Sequence, residues 1–514
     1  MKNSVYWLIL IILIAGFLRF YDLKNTPPGL WSDEAMNGTN TIQALEGNKW
    51  KIFYPENFGR EGLFINIQSL SVAVFGHTPW ALRLPSAIFG LLTVLGLYFL
   101  TKELFSGRVA LFASFFLATS FWHINFSRMG FRAIMAPFFL IWSFYFLFLG
   151  IRKKRESIFI LAGLLLGLGA HSYIAYRVTP IIALLPLWKF YKNWQLRRPT
   201  SNYCAPCLIG LFIFMAFLAA LPLLWYYAQN PADFLGRTSA ISIFNIPQPL
   251  APTPIKLVWG LGQFSENLVK TLGMFNFVGD FNWRHNFAGS PQLWWPIGIL
   301  FLIGIWLSLK KIKWPESFLL LWFVVMILPV ALSNESLPHA LRAIVLIPPV
   351  MIFVALGLEW FWGKIRSSLK IFIFLFFIVA TIYIFNQYFF RWAPNFNVYE
   401  AFETDITERA NWLNGQPKDI KKYVVTDSVD KVDVRGAPMS FQPIIFITDT
   451  FFAKKQKEKN IYYLTANQIG SKECDPKCII VPIDAKPTIY KTLKQKIPNL
   501  RLDISPGFVV LKNY

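Results

Sequence analysis

The chain has 514 residues, of which 55% are hydrophobic, 18% aromatic and only 15% charged. Soluble domains carry about a quarter charged residues, so this composition excludes an ordinary soluble protein and predicts a polytopic membrane protein. The formal net charge of +22 does not indicate a nucleic-acid partner. Most of the cations lie in short loops between apolar segments, where anionic lipid headgroups and the positive-inside rule account for them.

The apolar segments predict an α-helical protein with about eleven transmembrane helices. The first segment, 4–20, is not followed by a small-residue cleavage site and is expected to be retained as a helix. The segment 62–76 is short and carries Asn66 and Gln68, which favours a helix lying along the membrane interface. The other predicted spans are at about 82–101, 109–124, 133–150, 157–175, 178–191, 204–227, 292–309, 316–332, 342–362 and 369–387.

The positive charges predict how these helices are oriented. One set of alternating short loops is rich in Lys and Arg, whereas the opposite short loops hold little beyond Arg128 and Arg177. This asymmetry predicts a plasma-membrane protein whose N-terminus faces the cytoplasm. The loops 21–81 and 228–291 and everything after about 388 are then predicted to lie outside the cytoplasm. The predicted cytoplasmic loops contain Lys102, Arg108, Arg152, Lys153, Lys154, Arg155, Lys189, Lys192, Arg197, Arg198, Lys310, Lys311, Lys313, Lys364, Arg366 and Lys370.

The last part of the chain differs in character from the rest, because lysines become frequent and long apolar runs stop. This change predicts a transmembrane domain over 1–390 and a small extracytoplasmic α/β domain over 391–514. Cys474 and Cys478 could form a disulfide there, and the sequence leaves that question open. The predicted strands are Tyr423–Thr426, Ile444–Thr448, Ile461–Leu464, Cys478–Ile483 and Phe508–Leu511, and the predicted helices are at about 400–413 and 486–497.

An acidic pair, Asp33 and Glu34, follows the first apolar segment and marks the candidate catalytic site. Carboxylates at a membrane surface are costly unless they have a function. Adjacent residues on a helix point about 100° apart, so one carboxylate can act as a base while the other binds a cation or orients a neighbour. The alternative is a helix that begins near Ser32, with Ser32 or Asp33 as its N-cap.

Cations on the predicted outer side form the second candidate group. Five arginines there break the positive-inside trend, and a guanidinium binds phosphate through its planar fork of donors, so they favour an anionic substrate. The alternative is pairing with lipid headgroups or with nearby glutamates. The histidines lack metal-ligand spacing, so hydrogen bonds to phosphate or sugar are preferred over a metal. The expected phosphate-binding residues are Arg60, Arg128, Arg132, Arg177, Arg342 and His339, and the expected substrate contacts are Glu61, His171, Arg284 and His285.

Several segments together resemble the GT-C glycosyltransferases, and among them the family 39 group related to protein O-mannosyltransferases and the lipid A aminoarabinose transferase. The resemblance covers roughly residues 1–390, and the chain departs from the eukaryotic O-mannosyltransferases in lacking their large lumenal insert. The segments that carry it are Asp33-Glu34, Gly59-Arg-Glu-Gly-Leu-Phe64, Phe75-Gly-His-Thr-Pro-Trp-Ala-Leu-Arg-Leu-Pro85, Phe126-Ser-Arg-Met-Gly-Phe-Arg132 and Pro338-His-Ala-Leu-Arg342.

This resemblance implies an inverting, mannosyltransferase-like enzyme of the cell envelope whose donor is a polyprenyl-phosphate-linked sugar. It implies that Asp33 is the base that deprotonates an extracytoplasmic acceptor, which is a lipid, a glycan or a protein, and that Arg60 lies near the donor phosphate. The sequence indicates no definite cofactor, and its one candidate is a divalent metal held by Glu34. Two other functions stay open: a lipid-linked-sugar flippase or transporter, and a lipid-linked oligosaccharide ligase. A transporter would be expected to show inverted repeats and midplane charges, and neither is visible.

Overall fold

The computed structural model describes residues 2–196, 202–245, 253–427, 432–470, 474, 476–484 and 486–514. The predicted cytoplasmic cations Arg197 and Arg198 lie outside these residues. Contacts between residues divide the chain into two units. The helical unit comprises Met1–Asp22 and Ser86–Trp392, and the mixed unit comprises Leu23–Pro85 and Ala393–Tyr514. The sequence-based division differs, because it placed the loop 21–81 with the transmembrane domain.

The helices follow one another through most of the chain, and the strands fall in two short regions. In chain order the α-helices are α1 Lys2–Phe20, α2 Ser32–Leu45, α3 Gly62–Phe75, α4 Pro79–Leu104, α5 Gly107–Ala118, α6 Phe121–Ser127, α7 Met135–Lys153, α8 Glu156–Gly169, α9 Thr179–Leu196, α10 Ala205–Gln229, α11 Pro231–Ala240, α12 Thr253–Gly273, α13 Trp295–Lys310, α14 Trp314–Ala331, α15 Ile347–Lys364, α16 Ile371–Phe385, α17 Phe396–Ala401, α18 Thr404–Asn414, α19 Gln442–Ile447, α20 Ala453–Lys459 and α21 Pro487–Lys496. The strands are β1 Phe53–Tyr54, β2 Arg60–Glu61, β3 Lys421–Thr426, β4 Ile461–Thr465, β5 Cys478–Pro482, β6 Arg501–Asp503 and β7 Val510–Lys512.

The long apolar helices agree with a membrane protein. Among the described residues, six helices are long and apolar enough to cross a membrane, or seven if α5 and α6, which meet at a 61° bend, form one span. Four shorter apolar helices lie at Ser4–Phe20, Gly62–Phe75, Glu156–Gly169 and Trp295–Lys310. Each predicted span falls on helical structure, but the span 109–124 covers both α5 and α6, and the span 157–175 extends past the end of α8 at Gly169. The total of eleven spans stays a prediction, because the shorter helices do not reach the length that a membrane requires.

Small residues let the helices of the helical unit pack closely. Gly304 on α13 faces α15 so closely that a Cβ atom at this position would lie 1.8 Å from the backbone oxygen of Phe353. Any larger side chain would therefore force the two helices apart. Such close backbone approach at glycine is how helices gain packing energy where lipid supplies no hydrophobic driving force.

The mixed unit contains a five-stranded sheet in the order β4-β3-β5-β7-β6. Strand β3 pairs parallel with β4 and β5, and β7 pairs antiparallel with β5 and β6. Side chains alternate between its two faces, as the pleat requires. Val424 belongs to the core on one face, whereas Tyr423 and Val425 belong to the core on the other face, where Leu493 of α21 packs. The sheet and α21 lie in the last part of the chain, where the sequence predicted strands and helices. A separate extracytoplasmic domain over 391–514 stays a prediction.

The segment after α1 is built into this same unit. Its residues Leu30, Ala35 and Ile42 share a core with sheet residues such as Val424. Helix α2 approaches α19 closely because Gly38 leaves room for the ring of Phe446, which a Cβ atom there would meet at 2.5 Å. The mixed unit therefore presents α2, the helix that carries the acidic pair, from a packed scaffold rather than from a free loop.

Three predictions about local structure need correction. The run Ile444–Thr448, predicted as a strand, lies largely in helix α19, which has a proline at its first turn. A short buried apolar run does not distinguish strand from helix, and Pro443 was the signal for a helix start. Strand β6 was not predicted, because it is short and largely exposed. The region 228–291 was predicted as a loop, but it contains helices α11 and α12.

The cysteines are paired within the described residues. Cys474 and Cys478 form a disulfide with Cα atoms 4.8 Å apart, which answers the question that the sequence left open. Cys204 and Cys207 are also joined by a disulfide, at the start of α10.

Candidate functional site

Helix α2 begins at Ser32, as predicted, but its N-terminus is capped from elsewhere in the mixed unit. The Glu403 carboxylate oxygen Oε2 accepts hydrogen bonds from the Ser32 backbone N–H at 3.1 Å and from the Ser32 hydroxyl at 2.5 Å. The preceding residue, Trp31, makes no side-chain cap. A carboxylate at this position satisfies a free N–H and favours the helix dipole. Neither Ser32 nor Asp33 therefore acts as the N-cap, and the capping alternative for Asp33 is not supported.

The two carboxylates of the acidic pair have opposite environments. Glu34 is fully buried, and its oxygens accept from Arg83 Nε at 3.1 Å and Arg83 Nη2 at 2.9 Å. Arg83 also donates to the carbonyl oxygens of Pro27 and Gly29, at 2.6 and 2.7 Å. Asp33 is half-buried, and its Oδ1 accepts one hydrogen bond from the Asn57 amide at 2.8 Å. Asp33 is therefore the carboxylate that keeps an accessible oxygen, and Glu34 binds the loop before α2 through Arg83.

Arg60 lies in the same unit and also contacts α2. Its guanidinium nitrogens donate to the amide oxygens of Asn37 and Asn40, each at 2.5 Å, and the residue is 4% exposed. Asn37 and Asn40 are three residues apart and therefore share one face of the helix. Arg60 joins the β1–β2 hairpin to α2, which positions the acidic pair rather than leaving the guanidinium open to a phosphate.

A second acid, Glu56, lies beside Arg60 and was not predicted. It is 7% exposed, and neither carboxylate oxygen has a hydrogen bond within the described residues. Its oxygens lie 3.8 Å from Lys51 Nζ and 4.0 Å from Arg60 Nη2. Burial raises the pKa of the neighbouring Tyr54 to about 12, so that phenol stays protonated and donates to Asn66. Glu61, an expected substrate contact, is buried in strand β2.

The remaining predicted residues belong to the helical unit. Arg128 is fully buried, donates to the carbonyl oxygens of Leu18 and Arg19 at the end of α1, and lies 4.9 Å from the ring of Phe389. Arg342 is 5% exposed, donates to the Ser333 hydroxyl at 2.6 Å, and pairs with Glu335. Arg342 thus pairs with a glutamate, as the alternative to phosphate binding expected, whereas Arg128 is held by backbone carbonyls that the sequence did not indicate.

Of the five arginines predicted to bind phosphate, Arg132 and Arg177 remain partly exposed. Arg132 lies 6.0 Å from the ring of Tyr173, and Arg177 lies 4.4 Å from the ring of Phe234 and donates to its carbonyl oxygen at 2.9 Å. Aromatic rings hold a guanidinium by cation–π attraction and still leave part of it open to solvent. These two side chains are therefore better placed to meet a phosphate than the buried arginines.

The predicted histidines have different surroundings. The ring nitrogen Nε2 of His171 lies 3.0 Å from the Ala219 carbonyl oxygen, so this side chain contacts the protein backbone. His285 and His339 lie together with Asp280, and the ligand atoms of the three residues are all within 4.8 Å of one another. Arg284 is half-buried next to this group, and its carbonyl oxygen accepts from Asn125 at 2.6 Å. The sequence pattern gave no sign of this cluster, because His339 is far from the other two residues along the chain.

Three segments that are far apart in the sequence meet in the helical unit. Asn125 in α6 contacts the 279–290 loop through Arg284, and Trp122 donates to the Ala340 carbonyl oxygen at 2.9 Å. Asp280 in turn accepts from the Ala340 N–H at 2.8 Å. The segments around α6, before α13 and before α15 thus form one connected group.

One family model and one sequence relative each match part of the chain. The family model for the dolichyl-phosphate-mannose-protein mannosyltransferases matches residues 63–225. The Bacillus subtilis (strain 168) protein YkcB, named for a proposed mannosyltransferase activity, is 26% identical over 230 residues. That match covers 42% of this chain and 30% of YkcB.

Two solved structures superpose on nearly the whole chain. ArnT from Cupriavidus metallidurans in the apo state superposes with a TM-score of 0.61, covering 100% of this chain and 98% of ArnT at 12% identity. The chain has the GT-C glycosyltransferase fold. ArnT bound to undecaprenyl phosphate gives a TM-score of 0.58, with 99% of this chain and 98% of ArnT covered at 12% identity. The resemblance drawn from the sequence motifs is therefore confirmed. At this identity ArnT establishes the fold of this chain alone.

Proposed function

We propose that the protein is an integral-membrane glycosyltransferase that moves a sugar from a polyprenyl-phosphate donor to an extracytoplasmic acceptor, with inversion at the anomeric carbon. The observation that carries the proposal is the asymmetry of the acidic pair. Glu34 is buried against Arg83, whereas Asp33 is half-buried and accepts a single hydrogen bond within the described residues. Family and fold support the reaction class, and undecaprenyl phosphate bound to ArnT supports a polyprenyl-phosphate carrier.

Asp33 acts as the general base in this proposal. The carboxylate oxygen of Asp33 that does not bond to Asn57 takes the proton from the acceptor hydroxyl. At the same time the oxygen of that hydroxyl attacks the anomeric carbon of the sugar. The bond between this carbon and the phosphate oxygen breaks, and the electron pair leaves with the polyprenyl phosphate. The phosphate is a good leaving group, so the reaction needs no protein acid, and general-base catalysis contributes about 10²–10⁴-fold. Asn57 holds Oδ1, which orients the second oxygen of Asp33.

The departing phosphate carries negative charge that fixed cations would stabilise. We assign this role to Arg132 and Arg177, because they are the partly exposed members of the five arginines predicted to bind phosphate. Arg60, Arg128 and Arg342 are then positioning residues, each of which joins one segment to another. Glu34 is likewise a positioning residue that fixes the start of α2, and the proposal needs no metal there.

The orientation in the membrane belongs to the same proposal. The loop cations favour a cytoplasmic N-terminus and an extracytoplasmic mixed unit. Reporter enzymes that are active only outside the cytoplasm should therefore show activity when fused after Tyr514 or inserted at Ala240. Activity of a cytoplasm-dependent reporter at either position would contradict the orientation.

The experiment that tests the function uses the purified full-length chain in liposomes with a panel of polyprenyl-phosphate sugars and extracted cell-envelope acceptors. Mass spectrometry follows the release of free polyprenyl phosphate and the appearance of a glycosylated product. Asp33→Asn should abolish most of this release, and Asp419→Asn, which changes an exposed acid of the same unit, should leave it unchanged. Transfer of intact donor between leaflets without cleavage would instead identify a flippase and overturn the proposal.

A further inference from the structure

Asp280, His285 and His339 direct three potential ligand atoms toward one point inside the helical unit. His285 Nδ1 lies 3.0 Å and His339 Nδ1 lies 3.9 Å from the same carboxylate oxygen, Asp280 Oδ2. Asp280 and His285 are 3% and 5% exposed. The two imidazole rings lie side by side, with centroids 5.0 Å apart and an interplanar angle of 33°.

Hydrogen bonding accounts for part of this geometry, because His285 Nδ1 lies within hydrogen-bond distance of Asp280 Oδ2. The Arg342 backbone N–H lies 3.4 Å from His339 Nδ1 and is placed to donate to it, so that nitrogen carries a lone pair. His339 Nδ1 is also 3.9 Å from Asp280 Oδ2, too far for a hydrogen bond, so the two atoms are potential metal ligands that lie close together. Two imidazole nitrogens and a carboxylate oxygen are a common ligand set for zinc and related divalent metals.

The distances fit such an ion. Zinc bonds to nitrogen and oxygen are about 2.0–2.2 Å, so tetrahedral ligand atoms lie about 3.3–3.5 Å from one another. The observed separations of 3.0 and 3.9 Å bracket that range. All three ligand atoms lie within 4.8 Å of one another, so modest side-chain movements would bring them around one ion.

The loop that carries two of the ligands is already rigid. Asp280 Oδ1 accepts from the Asn282 N–H at 2.8 Å, and Asn286 donates to the carbonyl oxygens of Asp280 and Ser290. The Ala340 N–H donates to Asp280 Oδ2 at 2.8 Å, which orients the carboxylate in the manner of the outer partners of metal ligands. The Asp280 carboxylate is therefore oriented before any ion binds.

We propose that Asp280, His285 and His339 bind one zinc-class divalent cation. The ion joins the loop before α13 to the segment before α15 and holds the two together. His285 and His339 then contact this ion rather than sugar or phosphate, and the proposal does not depend on which reaction the protein catalyses.

The first test measures metal content. The full-length protein, purified in detergent through a tag without histidines, should retain about one equivalent of zinc by inductively coupled plasma mass spectrometry. Asp280→Asn and His285→Gln should each lose the bound zinc. Each should lower the affinity for zinc by more than about 10–100-fold, which is the cost of removing a residue that only supports a metal ligand. His171→Gln is the matched control, because His171 is buried in the same unit and bonded to a backbone carbonyl, and it should keep the metal.

A second measurement uses the wild-type chain and does not depend on the folding of variants. After removal of metal by a strong chelator, Co²⁺ titration should produce visible absorption bands of a tetrahedral site at one equivalent, and Zn²⁺ should displace them. The thermal unfolding midpoint should fall on chelation and recover with Zn²⁺. Titration without these bands, or equal metal content in wild type and Asp280→Asn, would overturn the proposal.

Discussion

Arg83 in the mixed unit and Arg19 in the helical unit are both fully buried, yet different groups satisfy them. Arg83 faces the Glu34 carboxylate through two nitrogens. Arg19 donates to the carbonyl oxygens of Ala15, Ala118 and Leu117 and contacts His123, and no carboxylate is within ion-pair distance in the part of the chain that the structure describes. Helix ends supply free carbonyls, so a membrane unit can hold a guanidinium without an acid.

The difference shows that a buried arginine does not by itself indicate a substrate site. In the mixed unit, the ion pair with Arg83 occupies Glu34 and leaves Asp33 as the member of the acidic pair with an accessible oxygen. In the helical unit, the carbonyl contacts of Arg128 give it the same structural explanation as Arg19. We therefore expect function at charged side chains that stay partly exposed, as Asp33, Arg132 and Arg177 do.

The largest expected effect comes from breaking the buried ion pair on one side. Arg83→Met should lower the free energy of unfolding of the mixed unit by about 3–5 kcal/mol, because it leaves Glu34 buried without its guanidinium partner. Arg19→Met should cost less, about 1–3 kcal/mol, because it leaves neutral carbonyl groups and no buried carboxylate. Chemical denaturation in detergent, followed by tryptophan fluorescence, measures both.

The double variant Glu34→Gln/Arg83→Met provides the control for this comparison. It removes both charges, so it should recover part of the stability that Arg83→Met alone loses. Equal losses for Arg83→Met and Arg19→Met would show that the two regions do not differ in the way described.

A smaller effect is expected for donor binding. Arg132→Ala and Arg177→Ala should each weaken binding of a polyprenyl-phosphate sugar by about 1–3 kcal/mol, the range of a lost charge-assisted hydrogen bond. Lysine at either position should restore binding only in part, because the planar fork is absent. Arg366→Ala, an exposed arginine on the predicted opposite side of the membrane, serves as the control in the same calorimetric titration. Unchanged donor affinity in both variants would indicate that these arginines pair with lipid headgroups instead of binding the donor.

The sequence predicted much of the fold because its signals are local. The predicted spans fall on helical structure, with the span 109–124 divided between α5 and α6. Helix α2 begins at Ser32, and four of the predicted strands lie in the sheet. Hydrophobic length and period carry this information without knowledge of distant residues. The helix α19 was missed for the same reason, since a run of six buried residues has no period that separates helix from strand.

The candidate site was predicted less completely because its contacts join distant parts of the chain. Asp33 and Glu34 were identified together, but only the position of Arg83, 49 residues away from Glu34, distinguishes their environments. The cap from Glu403 is 371 residues from Ser32. Asp280 and His339 likewise meet only in the folded unit. No spacing pattern in a single sequence encodes such pairs.

The central claim, that Asp33 is the general base, is tested most directly by the single-turnover rate of Asp33→Asn per folded enzyme. Asparagine keeps the shape of the side chain and its hydrogen bond with Asn57 but does not readily accept a proton. The account predicts a rate at least about a hundredfold below wild type, with donor affinity and unfolding midpoint nearly unchanged. Glu34→Gln should show the opposite pattern, a lower midpoint with a smaller loss of rate. An Asp33→Asn enzyme that is folded, binds donor and transfers sugar at the wild-type rate would contradict the claim.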